Sequence, residues 1–184
     1  MALPDRIEGL AIVSEDGMIA DAHGVQPDAL KLEADQRYFR GTLDQAAALV
    51  HGKNSGEGGP DAARRRRLIL TRRVAGLAPD PGNPLAMFWN PDGATLAEAW
   101  AALGLTGGLL AVIGGTGPFG LFLPRYDAFH LSRAARARLL AGVPVFPGIP
   151  PATPEDLLAR HGLKPGPAQA LDAAAGLVLM VWRR

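Results

Sequence analysis

The chain contains no cysteine, which excludes disulfide staples, thiolate metal ligands and cysteine nucleophiles together. It has no charge of one sign to spare: 19 Lys and Arg stand against 18 Asp and Glu, a net of +1, so no global field draws it to nucleic acid. Long apolar runs are missing too. The run from Leu10 to Val13 is far shorter than the core of a signal peptide and is followed at once by Glu15 and Asp16. Nothing in the chain approaches the ~18 apolar residues of a membrane span. The expectation is a soluble, cytoplasmic protein with neither membrane nor nucleic acid as partner. Its four histidines, His23, His51, His130 and His161, have neither metal-ligand spacing nor a serine–acid partner pattern, so they read as structural or surface groups and no metal is expected. No internal repeat or extended low-complexity tract is present.

What is there is enough for one domain over residues 1–184, since a chain of that size buries roughly 70% of its unfolded surface. Strand patterns fall at Ile7–Val13, Ala47–Val50, Leu68–Thr71, Ala86–Trp89, Leu109–Ile113, Ala128–Ser132 and Leu177–Trp182. Between them lie helix patterns at Leu30–Thr42, Thr95–Leu103, Pro118–Phe122 and Thr153–His161. Thr95 with Glu98, and Thr153 followed by Pro154, Glu155 and Asp156, are good helix starts. The stretches 54–61, 78–84 and 143–152 are rich in glycine or proline and read as loops. Strands alternating with helices give an α/β fold: a central, mostly parallel twisted sheet with flanking helices. No helix pattern follows Gly162, so the last strand is expected antiparallel, at the sheet edge.

The segment most charged with chemistry is Val112-Ile-Gly-Gly-Thr-Gly-Pro-Phe-Gly-Leu-Phe-Leu. A strand ends in Gly114-Gly115-Thr116-Gly117 and a helix follows. Glycines there let the backbone approach a ligand closely, and the first amides of the helix then face a phosphate. The plain alternative is a turn that uses glycine for packing alone. A second notable run is Arg64-Arg65-Arg66-Arg67, with Arg72 and Arg73 close behind. Because it abuts the strand-like Leu68-Ile69-Leu70, its side chains point alternately to opposite faces, and Arg65 is the candidate for a substrate carboxylate or phosphate.

Taken in order, these motifs resemble the dihydrofolate reductase superfamily, which includes the reductase domain of riboflavin biosynthesis. Ile7 to Ala20 resembles the family's first strand and active-site loop, with Ser14-x-Asp16-Gly17-x-Ile19-Ala20 closest to the riboflavin branch. Asp35 to Thr42, with Asp35 and Phe39 one helical turn apart, resembles the folate branch. Gly52-Lys53-Asn-Ser55, Leu70-Thr71-Arg72 and Ile113-Gly114-Gly115 through Phe119 to Pro124 resemble the nucleotide-binding segments, and Ser132 falls where a pocket threonine usually lies. Two departures stand out: Pro27 is followed by Asp28 where folate reductases carry Pro-Trp, and Thr116 replaces the third glycine of the turn. The deaminase domain that accompanies the riboflavin branch has no counterpart here, for no His/Cys zinc cluster exists.

The resemblance implies an NADPH-dependent reductase of a small pteridine-like molecule, working as a monomer or homodimer. It implies cofactor contacts at Ile12, Ile19, Gly52, Lys53, Ser55, Thr71, Arg72, Gly114, Gly115, Thr116, Gly117 and Phe119. Asp35, Phe39, Arg65 and Ser132 are then the substrate residues, with Asp35 catalytic. Asp35 lies on the helical face of Phe39, with Leu32 and Thr42 a turn to either side. A carboxylate bordering such an apolar stripe suits an amidine-like N–C–N edge; the bland reading is an ion pair with Arg37 or Arg40. Folate chemistry is the first choice. A riboflavin-pathway 5-amino-6-(5-phosphoribosylamino)uracil reductase is the second, and an idle nucleotide-binding protein or a weak nucleic-acid binder using Arg64–Arg67 represents the other classes.

Overall fold

A computed structural model describes residues 2–184. In chain order the strands are β1 (Arg6–Ser14), β2 (Met18–Ala20), β3 (Ala48–Gly52), β4 (Arg67–Leu70), β5 (Leu77–Asp80), β6 (Asn83–Trp89), β7 (Leu109–Gly114), β8 (Ala128–Ala134), β9 (Val143–Pro144), β10 (Lys164–Pro165), β11 (Gln169–Asp172) and β12 (Leu177–Arg183). The helices are α1 (Glu33–Leu43), α2 (Leu96–Ala102), α3 (Thr116–Phe122) and α4 (Pro154–Arg160). The main sheet has ten strands in the order β10-β12-β8-β1-β7-β3-β4-β6-β5, with β11 also paired to β12. Its centre, from β8 to β6, is parallel, and both flanks are antiparallel.

Period-two alternation decides what each strand buries. On β7, Leu110 and Val112 join a cluster with Trp100, Phe119, Phe122 and Phe129, while Ala111 and Ile113 turn to the opposite face beside Leu10, Leu43, Leu49 and Phe39. Strand β3 splits in the same way, Ala48 and Val50 one way and Leu49 the other. Residues of α2, α3 and α4 pack on the first face, and α1 covers the second. The helices begin where the sequence says they should. Thr95 and Thr153 each form a reciprocal capping box, with Glu98 and Asp156, and Pro154 stands in the first turn of α4, where its missing N–H costs nothing.

Four expectations need correction. Residues 78–84 are not a loop but a hairpin, β5 with β6 around Pro81-Gly82; Pro79 lies on β5, which is the edge strand where a missing amide is tolerated. The last strand is antiparallel as expected, yet it is not the edge, because the short β10 and β11 pair outside it. Within 143–152, Val143–Pro144 pairs with β2 in a small second sheet, and the segment 28–30 is a separate short turn ahead of α1.

Candidate active site

Strands β1 and β7 are hydrogen-bonded neighbours, but their continuations leave on opposite faces, β1 leading to α1 and β7 to α3. A crevice forms at the carboxyl ends of parallel strands wherever this happens. It is occupied here by a cavity of about 510 Å³. Ala11 and Ile12 of β1, Ile113 and Gly114 of β7, and Asp35 and Phe39 of α1 form its walls. Ile19, Ser55, Phe119 and the segment Gly56–Gly59 complete it.

Asp35 is the only acidic side chain of the helix brought inside. It is 8% exposed, and burial pushes its carboxyl above the usual aspartate range, with the Ser132 hydroxyl beside it pulling partly back. Arg37, one of its two expected ion-pair partners, instead pairs with Glu33 on the solvent side at 3.2 Å. Among the described residues no cation forms a salt bridge to Asp35. Ser132 shares a small pocket of about 10 Å³ with Asp35, Tyr38, Phe39 and His130, behind the main cavity wall.

At the other end, β7 finishes in Gly114 with φ +151°, a backbone that side chains rarely adopt, and a Cβ there would stand 3.1 Å from Ser55 Cβ. A Cβ on Gly115 would meet Ser55 Oγ at 3.0 Å, whereas one on Gly117 would meet nothing within 4 Å. Gly115 opens α3 without a side-chain cap. The Thr116 hydroxyl, expected to be free for phosphate, donates to the Pro144 carbonyl at 2.5 Å. Gly52 ends β3 beside Pro118 and Ser55, so the Ser55 side chain lies against all three glycines, Gly52, Gly114 and Gly115. Lys53 and Arg72 are exposed at the ends of β3 and β4, and the Thr71 hydroxyl accepts the Arg73 amide at 3.2 Å. Neither Thr71 nor Arg72 lines the cavity.

Arg65 is placed differently from the expectation. Its guanidinium donates to Glu57 at 2.7 Å and to Asp44 at 2.5 Å, so both ends of its fork are taken by protein carboxylates. Arg67 also bonds Glu57, at 3.1 Å, and approaches His51 Nε2 at 3.4 Å. Burial holds the His51 imidazole below its ordinary pKa, with the Gly52 carbonyl opposing. This ionic cluster ties the glycine-rich 54–59 segment down over the cavity rather than facing a ligand with free charge. The Ser14-x-Asp16 motif has a local explanation as well. Ser14 Oγ donates to Asp16 at 2.6 Å and accepts the Met18 amide at 3.0 Å, and Asp16 accepts the Leu139 amide at 3.0 Å. Those bonds outweigh burial and keep the Asp16 carboxyl low.

The sequence reading missed Gln36 and Arg40, which line the cavity beside Asp35 and Phe39; their spacing along α1 was the available signal. Gln26, Asn54 and Glu57 also line it, from loops that carry no periodicity. Among the described residues no cluster of three or more His, Cys, Asp or Glu side chains is arranged to hold a metal ion, and no helix is long and apolar enough to cross a membrane.

Such a sheet, with its crevice between the first and the central glycine-ended strand, defines the dihydrofolate reductase-like fold, and comparison with solved structures agrees. A Shewanella protein described as a putative riboflavin biosynthesis protein superposes with a TM-score of 0.66 at 17% identity, covering 97% of this chain and 98% of its own. Dihydrofolate reductase from Enterococcus faecalis, complexed with NADP(H), gives 0.61 at 16% identity over 100% and 99%. A pyrimidine reductase-like protein from Corynebacterium diphtheriae gives 0.65 at 14% identity over 97% and 91%. The chain has the dihydrofolate reductase-like fold. No family model and no curated protein sequence matches it.

Proposed function

We propose that the protein is an NADPH-dependent reductase acting on a C=N or C=O bond of a pteridine-like compound, with dihydrofolate as first candidate. One observation carries the reading: Asp35, a buried carboxylate facing a cavity at the switch point of this fold, has its proton affinity raised by desolvation and no salt-bridge partner among the described residues, whereas the buried Glu57 side chain of the same cavity is paired with Arg65 and Arg67. Hydride chemistry belongs to the cofactor, and the protein must orient the two reactants and supply a proton. Ala11, Ile19, Ser55, Gly114 and Phe119 would flank the nicotinamide end, and Lys53 and Arg72, exposed outside the cavity lining, are the candidates for the distal phosphates. Asp35 would hold an amidine-like edge of the ring and, when protonated, donate to it. Arg40 at the rim suits an anionic tail, in the role first assigned to Arg65.

Folate is preferred over a phosphoribosylated aminopyrimidine because Ser14 and Asp16, which pointed to the riboflavin branch, are used up in their own turn. The overall likeness to riboflavin-pathway structures keeps that substrate as the second reading. Of the relatives in that group, the Thermotoga maritima deaminase/reductase is nearly twice as long, the chain spanning 56% of it. The test is a pair of measurements. NADPH and NADH are titrated by fluorescence, and cofactor absorbance is then followed with dihydrofolate and with the aminopyrimidine. Turnover of the aminopyrimidine alone would reverse the order; binding of neither cofactor would remove the reductase reading.

A further inference from the structure

Behind Asp35, on the same side of the sheet, lies a second polar assembly that the proposed reaction does not use. Glu8 of β1, His130 of β8 and Tyr38 of α1 are joined end to end: His130 Nε2 lies 2.9 Å from Glu8 Oε2 and its Nδ1 lies 2.6 Å from the Tyr38 hydroxyl. His130 is buried, and so is Ser132 two residues along the same strand face. Tyr38 follows Asp35 by three positions on α1, so the pairs Asp35–Ser132 and Tyr38–His130 are consecutive rungs between helix and strand. The small pocket of about 10 Å³ touches Asp35, Tyr38, His130 and Ser132 at once, the size of one water molecule with polar partners on several sides.

Hydrogen-bond chemistry gives this chain a direction. An ionised Glu8 carboxylate only accepts, so Nε2 carries a proton and donates to it. The Glu8 carboxyl is held low first by that bond, against its partial burial. Nδ1 is then the ring's acceptor, and the Tyr38 O–H is turned toward His130. Without that acceptor the O–H is free to point elsewhere, and the small pocket beside Asp35 is the polar space at hand. Burial pushes the Tyr38 phenol up, so it stays a donor rather than ionising. The other charges facing the assembly are Arg6 beside Glu8 on β1 and Arg183 of β12, which acts on both Glu8 and Tyr38.

We propose that Glu8, His130 and Tyr38 are positioning residues that set the direction of the Tyr38 hydroxyl behind Asp35 and thereby control how readily Asp35 holds its proton. The proposal rests on the reading of Asp35 as the acid of the cavity only for its consequence in turnover; the coupling itself is a property of the ligand-free protein. It also makes His130 part of the site, in place of the structural or surface role expected from sequence.

The experiment follows the Asp35 carboxyl by carbon-13 NMR in the ligand-free full chain, assigned by its loss in Asp35→Asn. It compares the parent with Tyr38→Phe and His130→Gln, two replacements that keep most of the volume or polarity. The ring holds the hydroxyl on Nδ1, so removing the ring releases a donor toward the Asp35 carboxylate, whereas Tyr38→Phe leaves no hydroxyl to release. The Asp35 midpoint should therefore fall by about half a pH unit in His130→Gln, roughly a threefold loss in proton affinity, and stay near the parent's in Tyr38→Phe. The alkaline limb of the turnover profile should move with it. Glu8→Gln, which takes a negative charge from the neighbourhood, should also lower the midpoint. An Asp35 midpoint unmoved in His130→Gln, with only thermal stability altered, would overturn the proposal. A moved midpoint with full turnover in Asp35→Asn supports the coupling and overturns the functional reading instead.

Discussion

At its Asp35 end the cavity is walled by side chains of α1 and β1, backed by a buried polar cluster that includes His130 and Ser132 of β8; around Gly114 it is walled by backbone and Ser55, with the exposed cations Lys53 and Arg72 lying outside the lining. The first kind of wall is fixed before a ligand arrives, since buried polar groups must find protein partners or pay for desolvation. The second is open to solvent and contributes through close approach and through screened charge. Substitutions should therefore act steeply at the Asp35 end and by degrees at the glycine end.

The largest break in that contrast is expected from Asp35→Asn. A positioned acid is worth roughly a hundredfold or more, so turnover should fall by about that factor while NADPH affinity stays nearly unchanged. The pH dependence follows from the direction of the shift. Asp35's carboxyl is raised by burial, so the proton needed for chemistry is lost as pH climbs through the raised value, and turnover falls on the alkaline side. Stability carries the same sign. A group with a raised folded-state pKa contributes stability below its unfolded value and loses that contribution as pH rises through the folded one. Asp35→Asn cannot ionise, so at neutral pH it should melt higher than the parent. Near-full turnover in the variant would take Asp35 out of the mechanism and most of the folate case with it.

Much of this contrast was legible before any coordinates. The strands carry their alternation openly, the capping boxes at Thr95 and Thr153 are local, and Asp35 with Phe39 shows in helical spacing; Ile12, Ile19, Ser55, Gly114 and Phe119 line the cavity together with them. What sequence concealed is what only tertiary contact makes. Glu8 and His130 meet across 122 positions, and Arg65 is drawn off by Glu57 and Asp44, 8 and 21 positions away. The β5–β6 hairpin was hidden by its own prolines, which report a broken ladder and leave unsaid that the strand is at an edge.

The next effect is expected at the exposed cations. If Lys53 and Arg72 meet a phosphate that NADH lacks, NADPH should bind at least about tenfold tighter, since a charge-assisted contact contributes roughly 1.5–3 kcal/mol and tenfold is about 1.4. Being exposed, these contacts should weaken with salt, so the ratio of the two affinities should shrink between low and high ionic strength. Equal affinities at low salt would remove the distinction between the two ends of the cavity. Gly115→Ala should act more gently on folding. Its new methyl meets Ser55 Oγ at 3.0 Å, and rotation of that short side chain relieves the contact, so the fold should persist while NADPH affinity drops several-fold because the methyl stands where the cofactor backbone would pass.

The smallest expected effect is the most discriminating about the turn. Gly117 sits in the first turn of α3, exposed, with nothing within 4 Å of an added Cβ. Alanine there gives up less chain entropy on folding than glycine, so the ligand-free protein should gain a few tenths of a kcal/mol, the low end of the roughly 0.5–1 kcal/mol seen in helix interiors. In a turn that serves packing alone, that gain is the whole story, and NADPH should raise the melting temperature of Gly117→Ala as much as it raises the parent's. In a turn that presents its amides to a phosphate, the methyl occupies space that is empty only while the ligand is absent. The stabilisation by NADPH should then shrink even though the free variant melts higher. Melting curves of parent and variant, with and without NADPH at several concentrations, read both quantities in one experiment, and an undiminished NADPH shift would assign Gly117 to packing and leave Ser55, Lys53 and Arg72 as the remaining candidates for the phosphates.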